Sequence, residues 1–222
     1  MTTRRLDRHS RIKPTIGFFS HKMGRHLFCE GIAEQNALYA HEYDRSVISY
    51  NTQPCSVHYR FQGRRERRYT PDTLVKRHCP EADRPVFEYE EIKSAREAKR
   101  SEFRAKFLFL QDYFARKVGI PLLLRIGESP TNPSRLLRNQ KYFYPYLGLP
   151  VDRELLNELR GVGSRITYLN AVQWTESQGR DVRRLLTLIA HGELTFDWSQ
   201  VHLQEQTILE VSPHEQTSEV VQ

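Results

Sequence analysis

Asp72, Glu91 and Lys93 are the residues whose types and spacing can do chemistry. Asp72 follows Pro71, and eighteen residues separate it from the triplet Glu91-Ile92-Lys93. Two converging carboxylates offer the hard oxygen ligands that Mg²⁺ requires. A lysine beside them can orient an attacking water or stabilise charge building on a phosphate. Pro-Asp followed by Glu-x-Lys is therefore the pattern of a metal-dependent nuclease centre. The alternative is a structural Asp72–Lys93 ion pair between neighbouring strands. A second Glu-x-Lys, Glu97-Ala98-Lys99, falls in a charged run with helical spacing, and we read it as a solvated helix face. The first copy interrupts an apolar run, where charges cost free energy unless paired or metal-bound.

These residues need strands to hold them. Residues 86–93 are predicted as a strand, whose alternation points Glu91 and Lys93 the same way. Residues 68–75 are predicted as the strand carrying Asp72, with Pro71 suited to a strand end or edge. Residues 46–52 and 55–61 read as two further strands, Gln62-Gly63 as a turn and 78–85 as a loop. A helix is predicted over 27–42, with Leu27, Gly31, Glu34, Leu38 and His41 on one stripe. A carboxylate in that stripe needs a partner, so Glu34 either caps or pairs structurally, or faces Asp72 as a third acidic group. Glu30, one turn earlier, is the fallback. Phe103, Phe107, Leu110 and Phe114 mark a helix over 95–117, and 121–126 a buried strand. A helix between two strands makes a right-handed crossover with the strands parallel. The expected core is a mixed α/β sheet with helices packed on it.

Composition narrows the partners. The 222 residues carry a net charge of +7, which favours a polyanion. Arginines and lysines crowd residues 1–15, read as a flexible basic arm, and Arg64, Arg65, Arg67 and Arg68 flank the Asp72 strand. Phosphate neutralisation is one use and a solvated hairpin tip the other. Lys99 lies on the charged face of the 95–117 helix. No apolar run of about eighteen residues is present, so no membrane span is expected, and the N-terminus has no secretory h-region. Three cysteines without a CxxC spacing fit a reducing compartment.

Residues 127–134, rich in Gly, Pro and Ser, mark a boundary between a domain over 16–128 and a smaller helical one over 129–211. Arg135, Arg138 and Lys141 in residues 134–147 mix with tyrosines, a composition that can grip phosphates and sugars or simply pack. Helices are predicted at 151–160, 164–177 and 179–191. A hairpin of 193–197 with 207–211 then makes the domain winged-helix-like. Residues 212–222 read as a disordered polar tail.

An ordered series of motifs carries a resemblance: Cys29-Glu30-Gly31-Ile32-Ala33-Glu34, the strand ending at Gln53-Pro54, Thr70-Pro71-Asp72-Thr73, Glu91-Ile92-Lys93, the charged helix and Ile120-Pro121-Leu122-Leu123. The first 130 residues resemble TnsA, the endonuclease subunit of heteromeric cut-and-paste transposases, in the restriction-endonuclease-like PD-(D/E)xK superfamily. Gly31 departs from the family, which often has serine there. The resemblance implies a catalytic set of Glu34, Asp72, Glu91 and Lys93. It implies Mg²⁺, with Mn²⁺ able to substitute, held by Asp72, Glu91 and the Ile92 carbonyl, with Glu34 bound directly or through water. It implies hydrolysis at the 5′ ends of a transposon in double-stranded DNA, an integrase-type partner TnsB, an ATPase regulator TnsC, and a bacterial, cytoplasmic, nucleoid-associated setting. Competing readings are another nuclease of the superfamily and a non-catalytic nucleic-acid-binding subunit.

Overall fold

The computed structural model describes residues 15–63, 65–81 and 84–213. The chain divides after Pro133 into two compact units. The basic arm lies almost wholly outside the described residues, as do Arg64 and the tail beyond Pro213.

The first unit opens with a hairpin, β1 (Ile16–Ser20) and β2 (Arg25–Cys29). Helix α1 (Ile32–Tyr43) follows. The helix expected from residue 27 is thus corrected. Leu27 and Cys29 are buried with Phe28 between them, an alternation of period two, and they belong to β2. Extended Gly31 is the N-cap where the helix begins.

The central sheet contains β3 (Val47–Thr52), β6 (Thr73–Arg77), β7 (Val86–Lys93) and β8 (Leu122–Ile126), in the order β3-β6-β7-β8. The first three are antiparallel and β8 runs parallel to β7. The connection between them carries α2 (Ala95–Ala98), α3 (Ser101–Tyr113) and a π-helical turn at Phe114–Val118, where a single helix was expected. This is the mixed sheet flanked by helices of a restriction-endonuclease-like fold.

The strand expected over 68–75 breaks in two. Short β4 (Val57–Tyr59) and β5 (Arg67–Tyr69) form their own hairpin, and the chain joins the central sheet only at Thr73. Pro71 has no N–H to continue a ladder, so the break falls there. One face of β7 packs Tyr89 against Phe107, Leu110 and Phe114 of the α3 side, together with Val57, Tyr59 and Tyr69.

The second unit contains α4 (Arg135–Phe143), α5 (Arg153–Val162), β9 (Arg165–Thr167), α6 (Tyr168–Ser177), α7 (Val182–Ala190), β10 (Leu194–Thr195) and β11 (Ile208–Val211). Leu155, Leu159, Leu185 and Leu188 are fully buried in it. Four of its helices start on side-chain caps: Ser134, Asp152, Thr167 and Asp181. The hairpin of β10 with β11 forms, and β9 adds to it as a third strand. Residues 165–167 therefore correct the expected helix over 164–177. Ile166 turns inward between exposed Arg165 and half-buried Thr167, the alternation of a strand.

Candidate active site

Asp72 sits in the break between β5 and β6, and its backbone is tied on both sides. Its N–H donates to the Glu90 carbonyl at 3.0 Å and its carbonyl accepts from the Gln53 N–H at 2.8 Å. Gln53 follows β3 with φ of 45°, a left-handed conformation uncommon for a non-glycine residue. The Asp72 carboxylate accepts the Ile92 N–H at 2.7 Å. β7 therefore sets both the side chain, through Ile92, and the backbone N–H, through Glu90.

Lys93 leaves the end of β7 and its Nζ meets three oxygens. Glu91 Oε1 is 2.7 Å away, the Ile92 carbonyl 3.0 Å and Asp72 Oδ2 3.6 Å. Glu91 is buried, and its other oxygen accepts the Tyr69 hydroxyl at 2.6 Å. Burial pushes Asp72 up to about 8, with the Glu91 charge adding to it, against the opposing pull of Lys93. Burial draws Lys93 down, but Asp72 and Glu91 outweigh it and hold the ammonium above its usual value. Burial and the Glu91 charge both push the Tyr69 phenol far up, so it stays a donor.

Glu34 stands in the first turn of α1, and its Oε2 accepts the Glu30 N–H at 2.9 Å. That bond satisfies a half-buried donor ahead of the helix, much as a capping glutamate does. Its charge also reaches Asp72, Lys93 and Cys29. Glu34 thus has a structural hydrogen bond and an electrostatic link to the centre. Glu30 contributes its backbone to that bond. No group of three or more His, Cys, Asp or Glu side chains among the described residues is arranged to hold a metal. Two carboxylates and a backbone carbonyl remain. All three are hard oxygen donors, and all three already gather around one positive centre, the Lys93 ammonium. The donor set fits a divalent cation such as Mg²⁺.

Residues 44–125 match the family model described as TnsA-like endonuclease N terminal. This segment is similar to TnsA-like endonuclease domains. The match contains Asp72, Glu91, Ile92 and Lys93, and α1 with Glu34 lies before it. No curated protein matches the chain. No helix among the described residues is long and apolar enough to cross a membrane.

The other face of β7 in the endonuclease domain holds a cluster that the sequence pattern did not point to. Glu90 is buried and binds His41 of α1 at 2.8 Å and Arg125 of β8 at 2.9 Å, with Arg77 of β6 at 3.6 Å. Burial pushes Glu90 up, but the His41 and Arg125 contacts prevail and hold it below the usual carboxylate value. Four elements are joined behind the Glu91–Lys93 face. Tyr69 was also missed, because a tyrosine in a strand reads simply as core. Of the expected DNA contacts, Arg65, Arg67 and Arg68 are exposed on or beside β5, and Lys99 is exposed after α2. In the second unit, Arg135, Arg138 and Lys141 recur every third residue along α4, and Arg135 donates to the Gln200 carbonyl.

Proposed function

We propose that the chain is the metal-dependent DNA endonuclease subunit of a heteromeric cut-and-paste transposase, cleaving the 5′ ends of the element. The observation that carries this reading is the convergence of Asp72, Glu91 and the Ile92 carbonyl on Lys93, inside a TnsA-like endonuclease domain.

Asp72, Glu91 and the Ile92 carbonyl would hold Mg²⁺ or Mn²⁺, with Glu34 acting through water. Such an ion supplies positive charge to the phosphate oxygens and acidifies water. The chain's own residues do the rest. The Tyr69 hydroxyl fixes Glu91 Oε2 and leaves Oε1 on Lys93, while the Ile92 N–H fixes Asp72 through Oδ2, the oxygen that also lies nearest Lys93. Lys93 orients the attacking water or neutralises charge as the phosphorus passes through five-coordination. One P–O bond forms to water and one breaks. The exposed basic side chains of β5 and Lys99 neutralise neighbouring phosphates, which gives affinity without sequence reading. Placement on the transposon ends comes from an integrase-type partner, TnsB, and coupling to target choice from an ATPase, TnsC, with the second unit as the partner-binding part.

The test is calorimetric titration of Mn²⁺ into wild type and Asp72→Ala, followed by cleavage with the partner transposase. Saturable binding lost in the variant, with cutting reduced at least about a hundredfold, is expected. Equal binding and equal cutting by the two proteins would overturn the reading.

A further inference from the structure

A cavity of about 550 Å³ is lined by Lys93 alone of the proposed catalytic set. Its walls come from the turn after β4 and from the start of α3. Phe61 and Phe103 supply two aromatic rings; Arg67, Arg100 and Lys106 supply cations. Both rings are anchored from behind: Phe103 stacks on Phe107 at 5.7 Å, and Phe61 lies 5.2 Å from Phe109.

The charges in the cavity are unequal in availability. Glu97 and Glu102 line it against four cations, Lys93, Arg67, Arg100 and Lys106, and the Glu97 carboxylate already accepts from the N–H and hydroxyl of Ser94 as half of a capping box. Arg67, Arg100 and Lys106 make no salt bridge among the described residues. Lys106 lies over the Tyr69 ring at 5.5 Å, the same tyrosine whose hydroxyl holds Glu91. The cavity is thus net positive and aromatic, it shares Lys93 with the candidate catalytic centre, and its Lys106 rests on the Tyr69 ring.

We propose that this cavity holds an unpaired nucleotide of the strand whose scissile phosphate lies at Lys93. The inference rests on the nuclease reading of the neighbouring site. A duplex is far too wide to enter a space of about 550 Å³, whereas a single nucleotide fits. Phenylalanine rings recognise a base through its face, and a base shows its face only when unstacked. The cations beside the rings match the phosphates on either side of such a base. The cavity and the catalytic centre share Lys93, so a strand that brings its scissile phosphate to that lysine delivers a neighbouring nucleotide to the rings.

The experiment uses the full chain in EDTA, so that cutting makes no contribution. Binding is measured for a DNA duplex with one unpaired 5-iododeoxyuridine and for the same duplex fully paired. We expect about tenfold tighter binding of the unpaired form, and photocrosslinks that map to Phe61 or Phe103. Phe103→Leu should abolish that preference. Arg100→Gln, an exposed change that leaves the core intact, should weaken binding of the unpaired form several-fold. Equal affinity for the two duplexes, crosslinks outside the cavity, or an Arg100→Gln protein with unchanged affinity would overturn the proposal. A wild-type protein that shows no preference in EDTA yet cuts in an Asp72-dependent way once Mg²⁺ is restored would sink the cavity assignment alone. A preference that persists without Asp72-dependent cutting would sink the nuclease reading instead.

Discussion

Lys93 Nζ lies 2.7 Å from Glu91 Oε1, within the oxygen set that would receive a divalent cation. The ammonium therefore both attracts the carboxylates to one point and opposes a second positive charge there. Two unit charges about 4 Å apart interact by about 4 kcal/mol at an effective dielectric near 20. Removing even a third of that repulsion corresponds to about tenfold in affinity. Lys93→Met should bind Mn²⁺ about tenfold more tightly while cutting falls at least about a hundredfold. Calorimetry and a cleavage assay on the same preparation separate the two effects. Weaker Mn²⁺ binding by the variant would show that Lys93 only holds the carboxylates together.

The pH dependence follows from Asp72. Folded, it keeps its proton up to about pH 8; unfolded, it loses that proton near 3.8. Between these values the folded chain binds one more proton than the unfolded chain, so the contribution of Asp72 to stability falls as pH rises. Urea unfolding of the metal-free protein should show this decline, and Asp72→Asn should flatten it relative to wild type. Metal binding in the same range must expel the proton. Apparent Mn²⁺ affinity should therefore rise by up to about tenfold per pH unit below pH 8. A wild-type affinity that is level from pH 6 to 8 would contradict the shifted carboxyl.

Tyr69→Phe removes only the hydroxyl that donates to Glu91 Oε2. The buried carboxylate oxygen then lacks its donor, at a cost of about 1–3 kcal/mol in stability. A supporting contact to a metal ligand is typically worth about 10–100-fold in metal affinity or activity. The same decrease is expected for Mn²⁺ binding by Tyr69→Phe. Unchanged calorimetric affinity would leave Tyr69 as a packing residue.

Gly127 joins the two sides of the site. Its N–H donates to the Lys93 carbonyl, and a Cβ placed on it would meet Ala33 Cβ at 2.9 Å and Ile92 Cγ2 at 3.1 Å. Ala33 precedes Glu34 on α1, and Ile92 lies between Glu91 and Lys93. Gly127→Ala should destabilise the fold by about 1–3 kcal/mol through overpacking and lower cutting in the same protein. Denaturant midpoints together with cleavage rates check both. A variant with wild-type values for each would mean that α1 can move away from β7 freely.

What the sequence determined by itself was whatever depends on local pattern. Alternation along 86–93 is enough to put Glu91 and Lys93 on one side, because a strand repeats every two residues. Phe107, Leu110 and Phe114 announce their buried face through helical spacing, and the parallel pairing of β8 with β7 follows from the intervening helices. Local pattern misled where two periods compete. Leu27 and Gly31 fit a helical stripe as well as Leu27 and Cys29 fit a strand, and only pairing with β1 settles it. Tertiary structure alone decided the break at Pro71, which depends on whether Asp72 finds the Glu90 carbonyl across the sheet. It alone brought Tyr69 to Glu91 and joined His41, Arg77 and Arg125 around Glu90. Those contacts link residues that lie far apart in the chain. No period or spacing encodes them, and they exist only once the sheet has brought its strands together.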